Sequence, residues 1–313
     1  MAGAAVGRRP FALPVTLRTE RGTEEGRKVT WLELFFDLVF VAAVAQVGTH
    51  LRDDYSLAGL LRFALLFVLI WWAWLGHTTF STRFDTDDVV QRALTGLQLF
   101  LVAVMAVNAT GALDGRDSAG FAAAYAVMRL ASALVPAPAR FWLWAVALTL
   151  DIGTPLLSTR HLVDVPHDAA HLPERYGLFS IILIGESMAA VMAGMGHQEY
   201  WSVRAASAAI LGMAMVFATW WVYFAGVAAT AHRVVRSMSD AVRFHVWTYA
   251  HLSLYLGIAV AGVGLERVIE TATEAPLPRS EALILSSAGA IVVLALTAIG
   301  LSRQPLRRPA RAN

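Results

Sequence analysis

Nine stretches of nearly unbroken apolar sequence divide the chain: about 31–51, 57–80, 90–112, 119–135, 139–158, 175–195, 203–228, 244–264 and 281–302. Eight of them reach or approach the roughly 20 residues that an α-helix needs to cross the hydrocarbon core of a bilayer. The runs are continuous, without the period-2 alternation of a transmembrane barrel, so the pattern predicts helices. Helices also satisfy every backbone N–H and C=O internally, as lipid requires. The fold class predicted is all-α, a polytopic transmembrane helical bundle of eight or nine membrane segments. The ambiguous stretch is 119–135, which is short, contains Arg129 and ends at Val135-Pro136-Ala137-Pro138. It reads as re-entrant, interfacial or a shortened span.

Composition supports this reading. Of 313 residues, 57% are hydrophobic and only 15% charged, against about 25% charged in soluble domains. Mean hydropathy is +0.57. Residues 1–30 form a basic tail expected to be disordered and cytoplasmic, 31–302 a single membrane domain, and 303–313 a second basic tail. No short apolar stretch with a small-residue cleavage site follows the start, so the run beginning at Trp31 is expected to act as an uncleaved signal-anchor. Basic residues concentrate on the cytoplasmic side of membrane proteins. A nine-span topology divides them almost evenly, whereas eight spans with both ends inside put most of them in the cytoplasm. The eight-span topology is therefore preferred. A net charge of +2 gives no reason to invoke nucleic acid. The absence of cysteine excludes disulfides, thiolate catalysis and cysteine-ligated metals.

Charged residues at membrane depth are costly and need an explanation. Glu33 and Asp37 stand four residues apart, on one face of the first helix near its cytoplasmic end. They read either as members of an internal salt bridge or as a proton or cation site. Arg83, on the same side, is the natural counter-ion. Asp85, Asp87 and Asp88 follow it and suit the amino terminus of the next helix or a cation. The tryptophans Trp71, Trp72 and Trp74 read as interfacial belt residues. Asp151 and Glu186 are the most deeply placed carboxyl groups, and neither has a basic residue one turn away on its own helix. His251 lies one turn from Tyr255 and suits either packing or a proton relay.

The loop carrying His161, His167 and His171 has metal-like spacing, but Pro166 and Pro173 interrupt helix there, and a solvated loop is the simpler reading. No phosphate-binding loop, dinucleotide fingerprint, nucleophile elbow or zinc-protease motif is present. No metal and no cofactor are expected.

Several segments resemble the bacterial low-temperature-requirement protein A (LtrA) family. They are Glu33-Leu34-Phe35-Phe36-Asp37-Leu38-Val39-Phe40, Arg83-Phe84-Asp85-Thr86-Asp87-Asp88, and His171-Leu172-Pro173-Glu174-Arg175-Tyr176-Gly177-Leu178-Phe179 running into Gly185-Glu186-Ser187. Trp220-Trp221-Val222-Tyr223-Phe224 and Tyr249-Ala250-His251-Leu252 are similar too. The resemblance implies a multi-pass plasma-membrane protein with about ten spans and no settled substrate. It also implies that this chain is shortened after Ala122–Leu130, where the family pattern carries a fuller fourth span, a basic loop and a fifth span.

The leading expectation is a secondary transporter or an ion- or proton-translocating protein. Glu33, Asp37, Arg83, Asp85, Asp87, Asp88, His171, Glu174 and Arg175 would form a cytoplasmic polar cluster, with Asp151, Glu186 and His251 along a deeper path. Its partners would be the lipid bilayer and a small solute or ion, and a homo-oligomer is compatible. Two alternatives stay open. One is a membrane enzyme acting on a lipid or isoprenoid phosphate, with Arg83, Arg92 and Arg175 on the phosphate and the aspartates on Mg²⁺. The other is a non-catalytic stress- or cold-related scaffold with a closed ion-pair network.

Overall fold

The computed structural model describes residues 16–17, 29–85, 88–112, 171–198, 202–227, 235, 237–272 and 277–302; at 16–17, 83–85, 110–112 and 227 it describes the backbone only. Among the described residues there are seven long helices, each apolar and long enough to cross a membrane. They are α1 (Trp31–Asp53), α2 (Leu57–Arg83), α3 (Val89–Ala112), α4 (His171–Gly196), α5 (Val203–Trp221), α6 (Met238–Glu270) and α7 (Arg279–Leu301). A π-helical turn, Val222–Val227, continues α5. The only ladder among the described residues joins Thr16–Leu17 to Phe84–Asp85, antiparallel and two residues long. The ambiguous stretch 119–135 and the segment 139–158 lie outside the described residues.

Short polar signals set where the helices begin. Thr30 accepts a hydrogen bond from the Glu33 backbone N–H, and the Glu33 carboxylate accepts from the Thr30 N–H at 2.8 Å. This reciprocal capping box satisfies two backbone donors that α1 would otherwise leave open. Asp88 caps α3 by accepting from the Gln91 N–H at 2.7 Å. Ser202 and Ser237 do the same for α5 and α6. Each serine accepts from the backbone N–H three residues on, the usual geometry of a serine cap.

α6 is the central element. It packs most extensively against α7 and α4, and also touches α1, α5 and α2. Its 33 residues extend about 50 Å at 1.5 Å per residue, well beyond a hydrocarbon core of about 30 Å. The sequence pattern ends this segment near residue 264, because Glu266 and Arg267 look like loop residues. The helix nevertheless runs to Glu270, because both charges find partners on neighbouring helices. Arg52 donates to Glu266 at 2.8 Å, and Arg267 donates to Glu281 at 3.0 Å and to the Arg52 carbonyl at 3.1 Å.

Side-chain pairs also fix the direction of each helix. His171, at the start of α4, meets Glu33, at the start of α1. Gln198, just past the end of α4, donates to the carbonyls of Ile269 and Glu270 at the end of α6. Helices α1, α4 and α6 therefore run parallel and all begin at one end of the bundle. We call this the entry end. Arg52, Glu266 and Arg267 mark the opposite end.

Candidate functional site

At the entry end, α1 and α4 bury four ionisable side chains against one another. Arg175 directs Nε to Asp37 Oδ2 at 3.0 Å and Nη2 to Asp37 Oδ1 at 2.6 Å. This two-pronged arrangement fits the planar guanidinium to a carboxylate. Both side chains are 0% exposed. Trp74 of α2 donates its indole N–H to Asp37 Oδ1 at 2.7 Å, which gives that carboxylate a third donor. Glu33 Oε1 lies 3.7 Å from Arg175 Nη1 and 3.1 Å from His171 Nε2. A carboxylate only accepts, so His171 Nε2 is the donor in that bond. The four-residue spacing of Glu33 and Asp37 is what lets one face of α1 meet consecutive turns of α4.

The remaining members of the expected cluster are placed differently. Glu174 is half-exposed, with its carboxylate 3.7 Å from His171 Nδ1. Asp88 is buried and spent on capping α3. The side chains of Arg83, Asp85 and Asp87 lie outside the described residues, so the expected pairing of Arg83 with Glu33 and Asp37 falls there too. The described counter-ion of Asp37 is Arg175. Histidines 161 and 167, and Asp151, also lie outside the described residues.

Directly beneath the ion pair sits a block of aromatic rings. Trp74 packs its ring 5.0 Å from Tyr176 and 4.7 Å from Phe179, and Tyr255 packs 4.7 Å from Phe179. Trp71 and Trp74 are fully buried. Trp72 is buried too, so the expectation that these tryptophans form an interfacial belt is corrected for all three: they pack into the bundle, and Trp74 serves Asp37. Tyr255 donates to the Tyr176 carbonyl at 2.8 Å, and Ser180 lies within 3.3 Å of the Tyr255 hydroxyl.

His251 is fully buried nearby. Its Nδ1 is 2.7 Å from the Trp247 carbonyl and its Nε2 is 3.0 Å from the Tyr223 hydroxyl. A carbonyl cannot donate, so Nδ1 carries the proton in that bond. In the neutral ring, Nε2 then accepts from Tyr223. Tyr223 lies within the π-helical turn, which re-aims this side chain relative to a regular helix. The sequence pairs His251 with Tyr255 by spacing alone, whereas its hydrogen bond goes to Tyr223 on another element.

Glu186 occupies a different environment. Along α4 it lies eleven residues beyond Arg175, or about 16 Å deeper. It lines a cavity of about 300 Å³ bounded mainly by α1, α4 and α6. Arg52 and Glu266 reach the same cavity from the end opposite Asp37, and the Arg52 side chain there is 39% exposed. A second cavity of about 240 Å³, almost wholly apolar, lies between α4, α5, α6 and α7. Ser187 and Gly262 border both. Arg52, Glu266, Trp74 and Tyr223 are the site residues that sequence reasoning missed. Only the charge of Arg52 and Glu266 offered a signal, and segment ends placed at 51 and 264 discounted it. Among the described residues no group of three or more His, Asp or Glu side chains is arranged to hold a metal ion.

Comparison with known proteins agrees with this architecture. No solved structure matches the chain. An uncharacterised protein of Rhizobium meliloti (strain 1021), RA0937, is 29% identical over 289 residues, covering 76% of this chain and 68% of the relative. The family model described as bacterial low temperature requirement A protein matches residues 28–134 and 130–312. The two matches meet where the sequence resemblance places a shortened segment. Together they cover nearly the whole chain, which is thus a multi-pass membrane protein belonging to the LtrA family.

Proposed function

We infer that this protein is a secondary transporter or an ion- or proton-translocating protein of the plasma membrane, with its amino terminus in the cytoplasm. The observation that carries this reading is an asymmetry along α4. At the entry end, Asp37, Arg175, Glu33 and His171 close on one another over a layer of packed rings. Toward the opposite end, Glu186 faces a cavity with room for a solute. A translocation pathway caught open to one side and shut on the other needs both features. Charged pairs suit the shut side, because they hold firmly when dry and are readily solvated when water enters.

The expected topology follows the same axis. Helix α3 ends opposite the entry end and α4 begins at it, which supports the even topology with both ends on one side. The total is eight if 139–158 alone crosses. Arg and Lys then concentrate at the entry end, which is accordingly cytoplasmic. The enzyme alternative needs open acids beside a lateral cleft, and it loses support because Glu33 and Asp37 are turned onto Arg175 and His171.

The test is flux in proteoliposomes. The purified protein, reconstituted with internal pH- and potential-sensitive dyes, is exposed in turn to gradients of H⁺, Na⁺, K⁺ and an organic amine. Flux above protein-free liposomes for at least one of these, reduced several-fold by Glu186→Gln, is expected. Traces indistinguishable from protein-free liposomes for all of them would overturn the reading.

A further inference from the structure

The cavity beside Glu186 has a chemistry that selects a ligand class. Its walls are largely aliphatic, supplied by Val44, Leu183, Ala190, Ala259 and Val263. Three formally charged side chains reach it. Arg52 is committed to Glu266 at 2.8 Å. Glu186 makes no hydrogen bond or ion pair with any described residue, and it is partly exposed to the cavity. Among the described residues the pocket is therefore formally one positive charge short, and Glu186 is its one charged side chain without an ion-pair partner.

We propose that this cavity binds an organic monocation, with an ammonium head on Glu186 and a hydrocarbon body against the aliphatic wall. A bare metal ion fits less well, because it needs a shell of several oxygens. The cavity side chains offer few oxygens for such a shell: besides the carboxylates there are only the hydroxyls of Thr49 and Ser187, whose protons go to the Gln46 carbonyl at 2.7 Å and to the carbonyls of Leu183 and Ile258. An anion would meet Glu186 and Glu266 together. A neutral apolar molecule would bury the Glu186 carboxyl without a partner, which costs free energy. An ammonium group with an apolar body satisfies both the carboxyl and the wall. The proposal names a substrate class for the translocation reading; binding itself stands without that reading, and only transport of the bound cation rests on it.

Such an ammonium group comes either from a soluble amine or from an aminophospholipid, and two arms of one experiment separate these sources. In the first, the full-length protein in dodecyl maltoside is titrated calorimetrically with 2-phenylethylamine and with its neutral analogue 2-phenylethanol. In the second, melting temperatures are compared in nanodiscs of phosphatidylglycerol with and without phosphatidylethanolamine. A charge-assisted contact predicts amine binding roughly tenfold or more tighter than alcohol binding. Glu186→Gln loses that preference, and Ala190→Leu, which fills the cavity but keeps the carboxyl, weakens binding to the same degree. Stabilisation by phosphatidylethanolamine that disappears in Glu186→Gln assigns the ammonium to lipid.

Equal affinities for amine and alcohol would overturn the proposal. So would unchanged amine binding in both variants, or the absence of both amine binding and a phosphatidylethanolamine effect. Neither arm uses a gradient, so binding without flux removes the transporter reading and leaves the site. Flux without binding does the reverse.

Discussion

Arg175 holds Asp37 through two parallel hydrogen bonds, 3.0 and 2.6 Å long, in a place where neither side chain has any exposed surface. Removing one member of a buried pair strands the other, which costs about 3–5 kcal/mol. Asp37→Asn and Arg175→Gln should each lower the melting temperature of the detergent-solubilised protein markedly. The double variant should lose clearly less than the sum of the two, because it leaves no uncompensated partner for that bond. Additive losses would mean that the two side chains are not energetically coupled.

Glu33 has two roles that can be separated. It completes the capping box with Thr30 and it accepts from His171. Thr30→Ala removes the side-chain cap alone, for which about 1 kcal/mol is expected. Glu33→Ala leaves that cap in place but removes the reciprocal bond to the Thr30 N–H and the α1–α4 bond to His171 together, and should cost at least twice as much in urea or thermal unfolding. Equal losses would show that the His171 bond contributes nothing.

Two glycines on α4 provide a controlled comparison. A Cβ at Gly194 would sit 2.7 Å from the Glu266 carbonyl oxygen of α6, whereas one at Gly185 meets nothing within 4 Å. Alanine favours a helix over glycine by roughly 0.5–1 kcal/mol, so Gly185→Ala should be neutral or stabilising. Gly194→Ala forces α4 and α6 apart and should destabilise by about 1–3 kcal/mol. A thermal-shift measurement on both variants decides this, since helix propensity changes identically in each.

The bundle was legible in the chain because lipid allows few solutions: long apolar runs had to be helices. The capping acid at Asp88 and the shared face of Glu33 and Asp37 were legible for the same local reasons. Which cation meets Asp37 was not: Arg83 reads as the natural counter-ion along the chain, and Arg175 emerges as a partner only when α4 is laid against α1. Trp74 misled because hydropathy does not distinguish an indole facing headgroups from one donating to a buried carboxylate. Glu266 and Arg267 misled because a charged pair ends a hydropathic run even where the helix continues. That Glu186 has no partner among the described residues is a property of the packed bundle and leaves no trace in its flanking sequence.

The sidedness of the bundle is testable because the chain has no cysteine. Ser239→Cys lies at the entry end, and Asp53→Cys and Ser280→Cys lie at the other. A membrane-impermeant maleimide applied to intact cells should label the latter two and reach Ser239→Cys only after permeabilisation. The reverse pattern would place the amino terminus outside.

On the translocation reading, the Asp37–Arg175 pair is a seal that opens and not a permanent brace. Spin labels at Phe35→Cys on α1 and Ile181→Cys on α4, both exposed positions, report the separation of these helices, Phe35 near the level of the pair and Ile181 about 9 Å deeper than Arg175. Pulsed electron–electron distance measurements in nanodiscs should give two populations, with Asp37→Asn shifting weight toward the longer distance. A single, narrow distance that Asp37→Asn leaves unchanged, in a protein that remains folded, would contradict it.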